Sequence, residues 1–182
     1  MNKTGPVKVA MIGLGWWGRK MFAVLKKATD DIEIVCAAEP NPAGKDAEAN
    51  GFAHYGRDTE ALQHPGVEAI ILATPHSLHA EQIKRAVAAR KHIFCEKPLA
   101  LTKKEAEAAV EACAKNRPVL GMGHEKRWEP PVAQMLATAR TGRLGRIQQV
   151  EGNFSHDKFT ALDSGNWRAR GVALRDLGRE GD

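Results

Sequence analysis

The sequence VKVAMIGLGWWG, residues 7–18, decides the fold. Its apolar, partly β-branched beginning meets a turn that contains Gly13, Gly15 and Gly18, and residues 19–25 continue with the composition of a helix. A strand, a glycine-rich turn and a helix in this order form the context that a dinucleotide-binding GxGxxG fingerprint requires. The stretch therefore predicts a βα unit whose turn approaches the pyrophosphate of a dinucleotide.

Each glycine of this turn has its own predicted task. Gly13 permits the tight turn, Gly15 lets the backbone approach a pyrophosphate because it has no Cβ, and Gly18 allows the helix to pack close to the strand. The start of the helix adds N–H groups and the positive end of the helix dipole. The predicted cofactor-binding residues of the turn also include those between the glycines, Leu14, Trp16 and Trp17. For the two tryptophans, packing around the turn is the main expected task.

A carboxylate at the end of the second predicted strand supports the fingerprint. The apolar run 32–38 ends at Glu39, twenty-one residues after Gly18. At this place a carboxylate accepts hydrogen bonds from the ribose hydroxyls of the adenosine, and it repels a ribose phosphate. We therefore predict NAD as the cofactor, with NADP disfavoured. The alternative is a solvated acid that starts a turn before Pro40.

Composition limits the class of protein. The chain has 182 residues, of which 43% are hydrophobic and 27% are charged, as expected for a globular protein of one domain or slightly more. It contains no apolar run long enough to span a membrane and no apolar signal region at the N-terminus. The three cysteines are far apart, which disfavours a disulfide framework or a metal knuckle. These features predict a cytoplasmic protein with no membrane partner.

The net charge of +5 does not predict a nucleic-acid partner. Lysines and arginines are scattered beside acids, and aromatic residues make up only 5% of the chain, so no basic stripe with stacking aromatics appears. A basic surface also suits an anionic cofactor, through long-range electrostatic steering.

After Glu39, predicted strands and helices alternate. Strands are expected at 53–55, 67–73, 92–95 and 119–122, and helices at 42–49, at 59–63 with Asp58 as its cap, at 77–90, and after a capping box at 102–105. Near-continuous apolar strands between amphipathic helices are typical of a parallel sheet covered on both faces. The predicted fold is therefore α/β, with six strands in a doubly wound parallel Rossmann sheet.

The pattern changes beyond residue 123. The predicted elements there are a junction at 125–131, a helix at 132–139 that Gly142 and Gly145 end, and a strand at 147–154. We predict two domains, a dinucleotide-binding domain at 1–123 and the beginning of an incomplete α+β substrate or oligomerisation domain at 124–182.

Lys97 is the candidate catalytic residue, because Glu96-Lys97-Pro98 directly follows the predicted strand 92–95. Ligands of open α/β sheets bind beyond the carboxyl ends of the strands. A lysine there can move a proton to or from a hydroxyl or carbonyl while a hydride moves to or from a nicotinamide. The alternative is a surface lysine in a loop. His76 and His79 are three residues apart, but they lack a nearby acid or third ligand, so no metal site is predicted.

The chain resembles the Gfo/Idh/MocA family of oxidoreductases, which includes glucose-fructose oxidoreductase and inositol dehydrogenase. The matching segments, in family order, are GLGWWG at 13–18, Glu39, ATPHSLHAEQ at 73–82, HIFCEKPLALT at 92–102, GMGHEKRWEP at 121–130 and GRLGRI at 142–147. The resemblance implies an NAD(P)-dependent oxidoreductase that acts on a sugar, a cyclitol or a related polyol. It also implies a catalytic role for Lys97 and a cis peptide before Pro98.

Further site residues are implied by the same resemblance. They are the cofactor-binding residues Thr74, Pro75, His79, Glu96, Lys97 and Arg127, and the catalytic residue Asp176. In the family a histidine follows the aspartate by four residues, whereas this chain has Glu180 there. Since the family continues beyond this point through a large sheet, we expect a truncated chain, with a deliberately short variant as the alternative. Homo-oligomers are expected only if the second domain is complete.

Two alternatives to an active dehydrogenase stay open. One is a non-catalytic NAD-binding module, or an inactive fragment of such an enzyme. The other is a methyltransferase, since that class also uses a glycine-rich loop, although the spacing of the glycines and the Glu96-Lys97-Pro98 segment argue against it.

Overall fold

The structure is a computed structural model that describes residues 5–41 and 51–153. The chain divides into two compact units, Met1–Gly123 and His124–Asp182, and each is described by itself. The strands of the first unit are β1 (Val7–Ile12), β2 (Ile32–Ala38), β3 (Ala53–Tyr55), β4 (Ala69–Leu72), β5 (His92–Cys95) and β6 (Leu120–Met122). Its α-helices are α1 (Trp16–Leu25), α2 (Asp58–Ala61), α3 (His79–Ala88) and α4 (Lys103–Asn116).

The six strands form one parallel sheet in the order β3-β2-β1-β4-β5-β6. The chain winds outward from β1 in one direction through β2 and β3, and then in the other through β4, β5 and β6. In such a sheet the strand order reverses beside β1, and the reversal opens a crevice at the carboxyl ends of the strands. The structure thus confirms the predicted doubly wound α/β fold, including all six predicted strands.

Apolar side chains cover both faces of the sheet. Ile70, Leu72 and Cys95 belong to one buried cluster that also contains Ile83 of α3 and Cys113 of α4. The opposite cluster contains Met11 and Ile71 of the sheet and Phe22 of α1. Burial on both faces explains why the strands read as nearly continuous apolar runs rather than as alternating ones.

Two predicted local features differ from the structure. The helix α2 starts at Asp58, with Arg57 as its N-cap, and the Glu60 carboxylate accepts a hydrogen bond of 3.0 Å from the Arg57 N–H. Asp58 does not cap this helix, because its carboxylate pairs with the Arg85 guanidinium of α3 at 2.7 Å. The strand predicted at 147–154 is wrong over 147–153: a strand needs a hydrogen-bonded neighbour, and no described residue pairs with this segment. The predicted helix 42–49 lies outside the described residues.

The described part of the second unit contains two helices. A 3₁₀ helix, Glu125–Trp128, precedes helix α5 (Pro130–Arg140), which starts with proline at its first position. Gly142 and Gly145 follow with φ values of +72° and +63°, a backbone conformation that favours glycine and ends a helix. Over residues 5–41 and 51–153, no helix has both the length and the apolar composition needed to cross a bilayer.

Candidate cofactor and active site

Loops from five neighbouring strands meet at the carboxyl edge of the sheet. Backbone hydrogen bonds of 2.8 to 2.9 Å tie each loop to the next strand: Gly13 N–H to Ala38 O, Ala73 N–H to Ile12 O, Glu96 N–H to Leu72 O, and Gly123 N–H to Cys95 O. The residues that the sequence singles out in these loops therefore lie along one edge, in the order set by β2, β1, β4, β5 and β6.

The turn after β1 is packed so closely that two positions accept only glycine. Gly13 has φ +90°, and a Cβ there would lie 2.8 Å from the carbonyl oxygen of Ala73. A Cβ at Gly18 would lie 2.0 Å from the carbonyl oxygen of Gly13, far inside van der Waals contact. These contacts hold α1 tightly against β1 and fix the direction in which the helix begins.

Gly15 differs from its two neighbouring glycines, because a Cβ at this position would meet nothing within 4 Å. It is the N-cap of α1, it is exposed, and no side chain caps the helix there. The first N–H groups of a helix have no acceptor inside the helix, and they carry the positive end of its dipole. An open glycine at such a position fits a pyrophosphate, whose oxygens need N–H donors and close approach of the backbone.

The larger residues of the turn differ in exposure. Leu14 has its side chain in the core. Trp16 is exposed, stacks on Trp17 at 5.8 Å, and has the Lys20 ammonium 4.0 Å from the centre of its ring. The indole nitrogen of Trp17 is buried and has no hydrogen-bond partner among the described residues. Any contact of Leu14 with a cofactor would therefore come from its backbone.

Glu39 is 7% exposed and binds the glycine turn directly. Its Oε2 accepts a hydrogen bond of 2.8 Å from the Leu14 N–H, and its Oε1 accepts one of 3.1 Å from the Asn41 N–H. A carboxylate can accept about four hydrogen bonds in all, so acceptor capacity remains for ribose hydroxyls. Its charge is held beside the turn by two backbone donors.

The loop after β4 is anchored by two buried polar residues of α3. The Thr74 hydroxyl donates a hydrogen bond of 2.5 Å to Oε1 of Gln82. Nε2 of His79 lies 3.0 Å from the carbonyl oxygen of Thr74, and its Nδ1 lies 2.8 Å from the carbonyl oxygen of Pro98. Since His79 is 1% exposed and both ring nitrogens face carbonyls, a direct contact between its ring and a cofactor does not fit this geometry. Pro75 is half-buried in the same loop.

Glu96 and Lys97 directly follow β5, and one is buried while the other is exposed. Glu96 is 8% exposed, and a Cβ at Gly123 would lie 2.7 Å from its Oε1, so the carboxylate lies against the end of β6. Lys97 is exposed, no described residue bonds to its ammonium, and the Lys97–Pro98 peptide is cis. Beneath them, burial and the nearby Glu96 carboxylate raise the pKa of the Cys95 thiol to about 12. Cys95 is therefore a core residue and no nucleophile.

The two remaining candidate residues belong to the second unit. Arg127 is exposed in the 3₁₀ helix of the second unit, and Asp176 and Glu180 lie outside the described residues. Within residues 5–41 and 51–153, no three histidine, cysteine or acidic residues are arranged to hold a metal ion.

Sequence reasoning missed Gln82 and Gly123 as parts of the site. A signal exists for Gln82, which stands three residues after His79 on the otherwise apolar buried face of α3. For Gly123 the only signal is a glycine at the end of a predicted strand.

Comparison with known proteins identifies the family to which the greater part of the chain is similar. Residues 7–124 match the model of the GFO_IDH_MocA family, described as "Oxidoreductase family, NAD-binding Rossmann fold". Scyllo-inositol 2-dehydrogenase (NAD(+)) of Bacillus subtilis is 30% identical over 84% of this chain and 45% of its own length. D-xylose 1-dehydrogenase [NADP(+)] of Haloarcula marismortui is 28% identical over 95% of this chain and 51% of its own length.

A solved structure resembles the fold. The WlbA dehydrogenase of Bordetella pertussis, solved in complex with NADH and UDP-GlcNAcA, aligns with a TM-score of 0.76 at 24% identity, covering 80% of this chain and 43% of that one. The chain thus spans about half the length of the relatives that it matches. On the match of residues 7–124, and on a sheet that carries the glycine turn and Glu39 at its carboxyl edge, the chain belongs to the Gfo/Idh/MocA oxidoreductase family, which has an NAD-binding Rossmann fold.

Proposed function

We propose that this chain binds NAD at the carboxyl edge of its sheet and transfers a hydride between the nicotinamide and a sugar, a cyclitol or a related polyol, with Lys97 moving the proton. One observation carries the proposal. The open helix N-terminus at Gly15 follows β1, and the exposed Lys97 follows β5, with only β4 between the two strands. The strand that precedes the phosphate anchor and the strand that precedes the proton-exchanging group are therefore two spacings, about 10 Å, apart.

The cofactor would be held by three groups of residues. The N–H groups at the start of α1 would bind the pyrophosphate, and Glu39 would accept hydrogen bonds from the adenosine ribose. Thr74, Pro75 and Glu96 would line the nicotinamide side. The buried negative charge of Glu39 beside the turn supports NAD over NADP, because a ribose phosphate would have to approach it. When bound, the nicotinamide accepts or supplies the hydride.

Lys97 would manage the proton that accompanies the hydride. As an alcohol is oxidised, its carbon loses a hydride and its hydroxyl loses a proton, and the neutral amine of Lys97 would accept that proton. In the reverse direction its ammonium would donate the proton to the carbonyl oxygen. Lys97 is free for this task, since no described residue bonds to its side chain. By resemblance to the family, Asp176 and Arg127 are further candidates for the active site.

The same proposal extends to organisation and location. We assign residues 1–123 to the NAD-binding domain and 124–182 to the beginning of a domain for substrate and for assembly into a homo-oligomer. Three buried cysteines, Cys36, Cys95 and Cys113, are free thiols, which supports a reducing, cytoplasmic location.

Cofactor titration tests the proposal first. NADH and NADPH are titrated separately into the purified 182-residue chain, with energy transfer from tryptophan to the dihydronicotinamide as the signal. We expect NADH to bind with a Kd between about 1 μM and 1 mM, the range of ordinary KM values, and to bind more tightly than NADPH. Absence of binding at millimolar NADH would overturn the proposal.

Turnover is measured next, as reduction of NAD with inositols and hexoses. A Lys97→Met variant should abolish any turnover while it leaves NADH affinity within about threefold of the parent value. Lys104→Met, a change at an exposed position of α4, is the matched control and should affect neither quantity. Equal turnover by the Lys97→Met variant would remove Lys97 from the reaction.

A binding module without catalysis is the second candidate function. The family match ends at residue 124, and the glycine turn, Glu39 and Lys97 all lie in the first unit. This unit alone supplies the proposed cofactor site. Tight NADH binding without turnover on the whole panel would favour this second function.

A further inference from the structure

His79 connects the two loops that flank the proposed nicotinamide site. It begins α3, and its ring lies below the carboxyl edge of the sheet, 1% exposed. Nδ1 lies 2.8 Å from the carbonyl oxygen of Pro98, and Nε2 lies 3.0 Å from that of Thr74. One ring thus joins the loop after β4 to the loop after β5.

The chemistry of these contacts is directional. A backbone carbonyl only accepts, so each contact is a hydrogen bond only when the facing ring nitrogen carries a proton: the neutral ring donates through one nitrogen at a time, and the doubly protonated ring donates through both. Both contacts are partly buried, so a carbonyl that loses its donor there regains only part of its hydration, which makes each loop dependent on the ring. Pro98 directly follows Lys97 in the chain, so fixing the Pro98 carbonyl restricts the backbone from which the lysine side chain extends.

The two loops do not depend on His79 equally. Thr74 has a second anchor on the same helix, because its hydroxyl donates to Gln82 at 2.5 Å. Pro98 and Lys97 are exposed and have no comparable side-chain anchor among the described residues. The contact at Nδ1 should therefore govern the position of Lys97, while the contact at Nε2 adds to a loop that is already held.

We infer that His79 is a positioning residue: through Nδ1 it sets the location of Lys97 against the bound nicotinamide, and through Nε2 it steadies the Thr74 wall of the same site. This inference rests on the proposed function, because it concerns the same cofactor and the same lysine. It differs from a cofactor-contact role, since the ring is buried and both of its nitrogens face protein carbonyls.

Two amide substitutions separate the two contacts. In His79→Asn the amide nitrogen can take the place of Nδ1 and donate to Pro98, while the bond to Thr74 is lost. In His79→Gln the amide nitrogen can reach the place of Nε2 and donate to Thr74, while the bond to Pro98 is lost. The two variants are both neutral, polar and smaller than histidine, so each is the control for the other.

Two quantities are measured in each variant of the full 182-residue chain. The first is NADH affinity. The second is the rate at which an N-hydroxysuccinimide acetate acetylates Lys97 at saturating NADH, read by mass spectrometry and normalised to the exposed Lys104. We expect bound NADH to protect Lys97 in the parent and to a similar degree, within twofold, in His79→Asn. In His79→Gln the protection should fall about fivefold, the factor expected for one lost hydrogen bond, while NADH affinity stays within about twofold.

The possible outcomes distinguish the inference from the proposed function. A parent chain that does not bind NADH would overturn both. If the parent binds NADH but both variants protect Lys97 equally, or lose protection together with equal losses of melting temperature, His79 has only a structural role and the inference is wrong. Protection that survives in His79→Asn and disappears in His79→Gln supports it.

Discussion

Replacing Gly15 by alanine tests whether the turn after β1 holds a pyrophosphate. In the structure Gly15 has φ −61° and ψ −172°, an extended conformation that any L-residue adopts without strain. A Cβ there meets no protein atom within 4 Å. The substitution therefore disturbs the folded chain little and places a methyl group in the space that a bound phosphate would need.

The expected magnitudes differ for folding and for binding. Alanine is a poorer N-cap than glycine, so the free energy of unfolding should fall by about 0.5–1 kcal/mol. In the complex the methyl group extends about 1.5 Å from Cα and would push the phosphate off at least one N–H donor. A hydrogen bond to a charged group contributes about 1.5–3 kcal/mol, which predicts NADH binding at least roughly tenfold weaker, and about a hundredfold weaker at the upper end.

Gly18→Ala is the matched comparison. The same methyl group would lie 2.0 Å from the Gly13 carbonyl oxygen, so the backbone must move, at a cost of more than about 3 kcal/mol. We expect Gly15→Ala to keep a melting temperature near that of the parent and to lose NADH affinity, and Gly18→Ala to lose stability itself. Calorimetric titration measures the NADH affinity of each variant, and thermal denaturation measures its melting temperature. A folded Gly15→Ala variant that binds NADH within twofold of the parent would refute the assignment of the phosphate to this turn.

Three further predictions concern Glu39, the buried thiols and a helix cap. Glu39→Ser should raise the ratio of NADPH to NADH affinity about tenfold, and loss of the acceptor for the Leu14 N–H should lower the free energy of unfolding by about 1–2 kcal/mol, measured by titration and urea denaturation. Burial raises the pKa of the Cys36 thiol from its ordinary 9.0 to about 11. The unfolded chain therefore loses this proton first as pH rises, so stability should fall between pH 9 and about 11, and Cys36→Ala should reduce that fall. Thr102→Ala removes the hydroxyl that accepts the Glu105 N–H at 3.2 Å, and should cost about 1 kcal/mol in urea denaturation without changing NADH affinity.

Features that depend on local sequence could be predicted. The capping box of α4 is one, because Thr102 and Glu105 interact within a single turn of chain. The six strands are another, since burial on both faces leaves a continuous apolar signal. The glycine turn belongs to the same class, although the sequence alone did not indicate that Gly13 and Gly18 meet each other and Ala73.

The phase of a helix is harder to predict, because its buried face depends on what lies opposite. Val110 has the spacing of a core residue, yet it is exposed, and Ala109 is buried one position earlier. Val24 of α1 is exposed for the same reason, while Phe22 faces the sheet. In both helices a rotation of about 100° per residue decides which apolar side chain reaches the sheet, and short apolar runs do not fix that rotation.

His79 illustrates a deeper limit of sequence reasoning. A histidine at the start of a helix beside a phosphate-binding edge has the same sequence context whether its ring faces the ligand or the protein. The difference comes from the Pro98 carbonyl, nineteen residues away in the chain, which the loop after β5 brings to 2.8 Å from Nδ1. Only the packing of β4 beside β5 creates that contact. Residues that touch a ligand can thus be inferred from motifs, whereas residues that hold such motifs in position are identified from contacts between elements that are distant in the sequence.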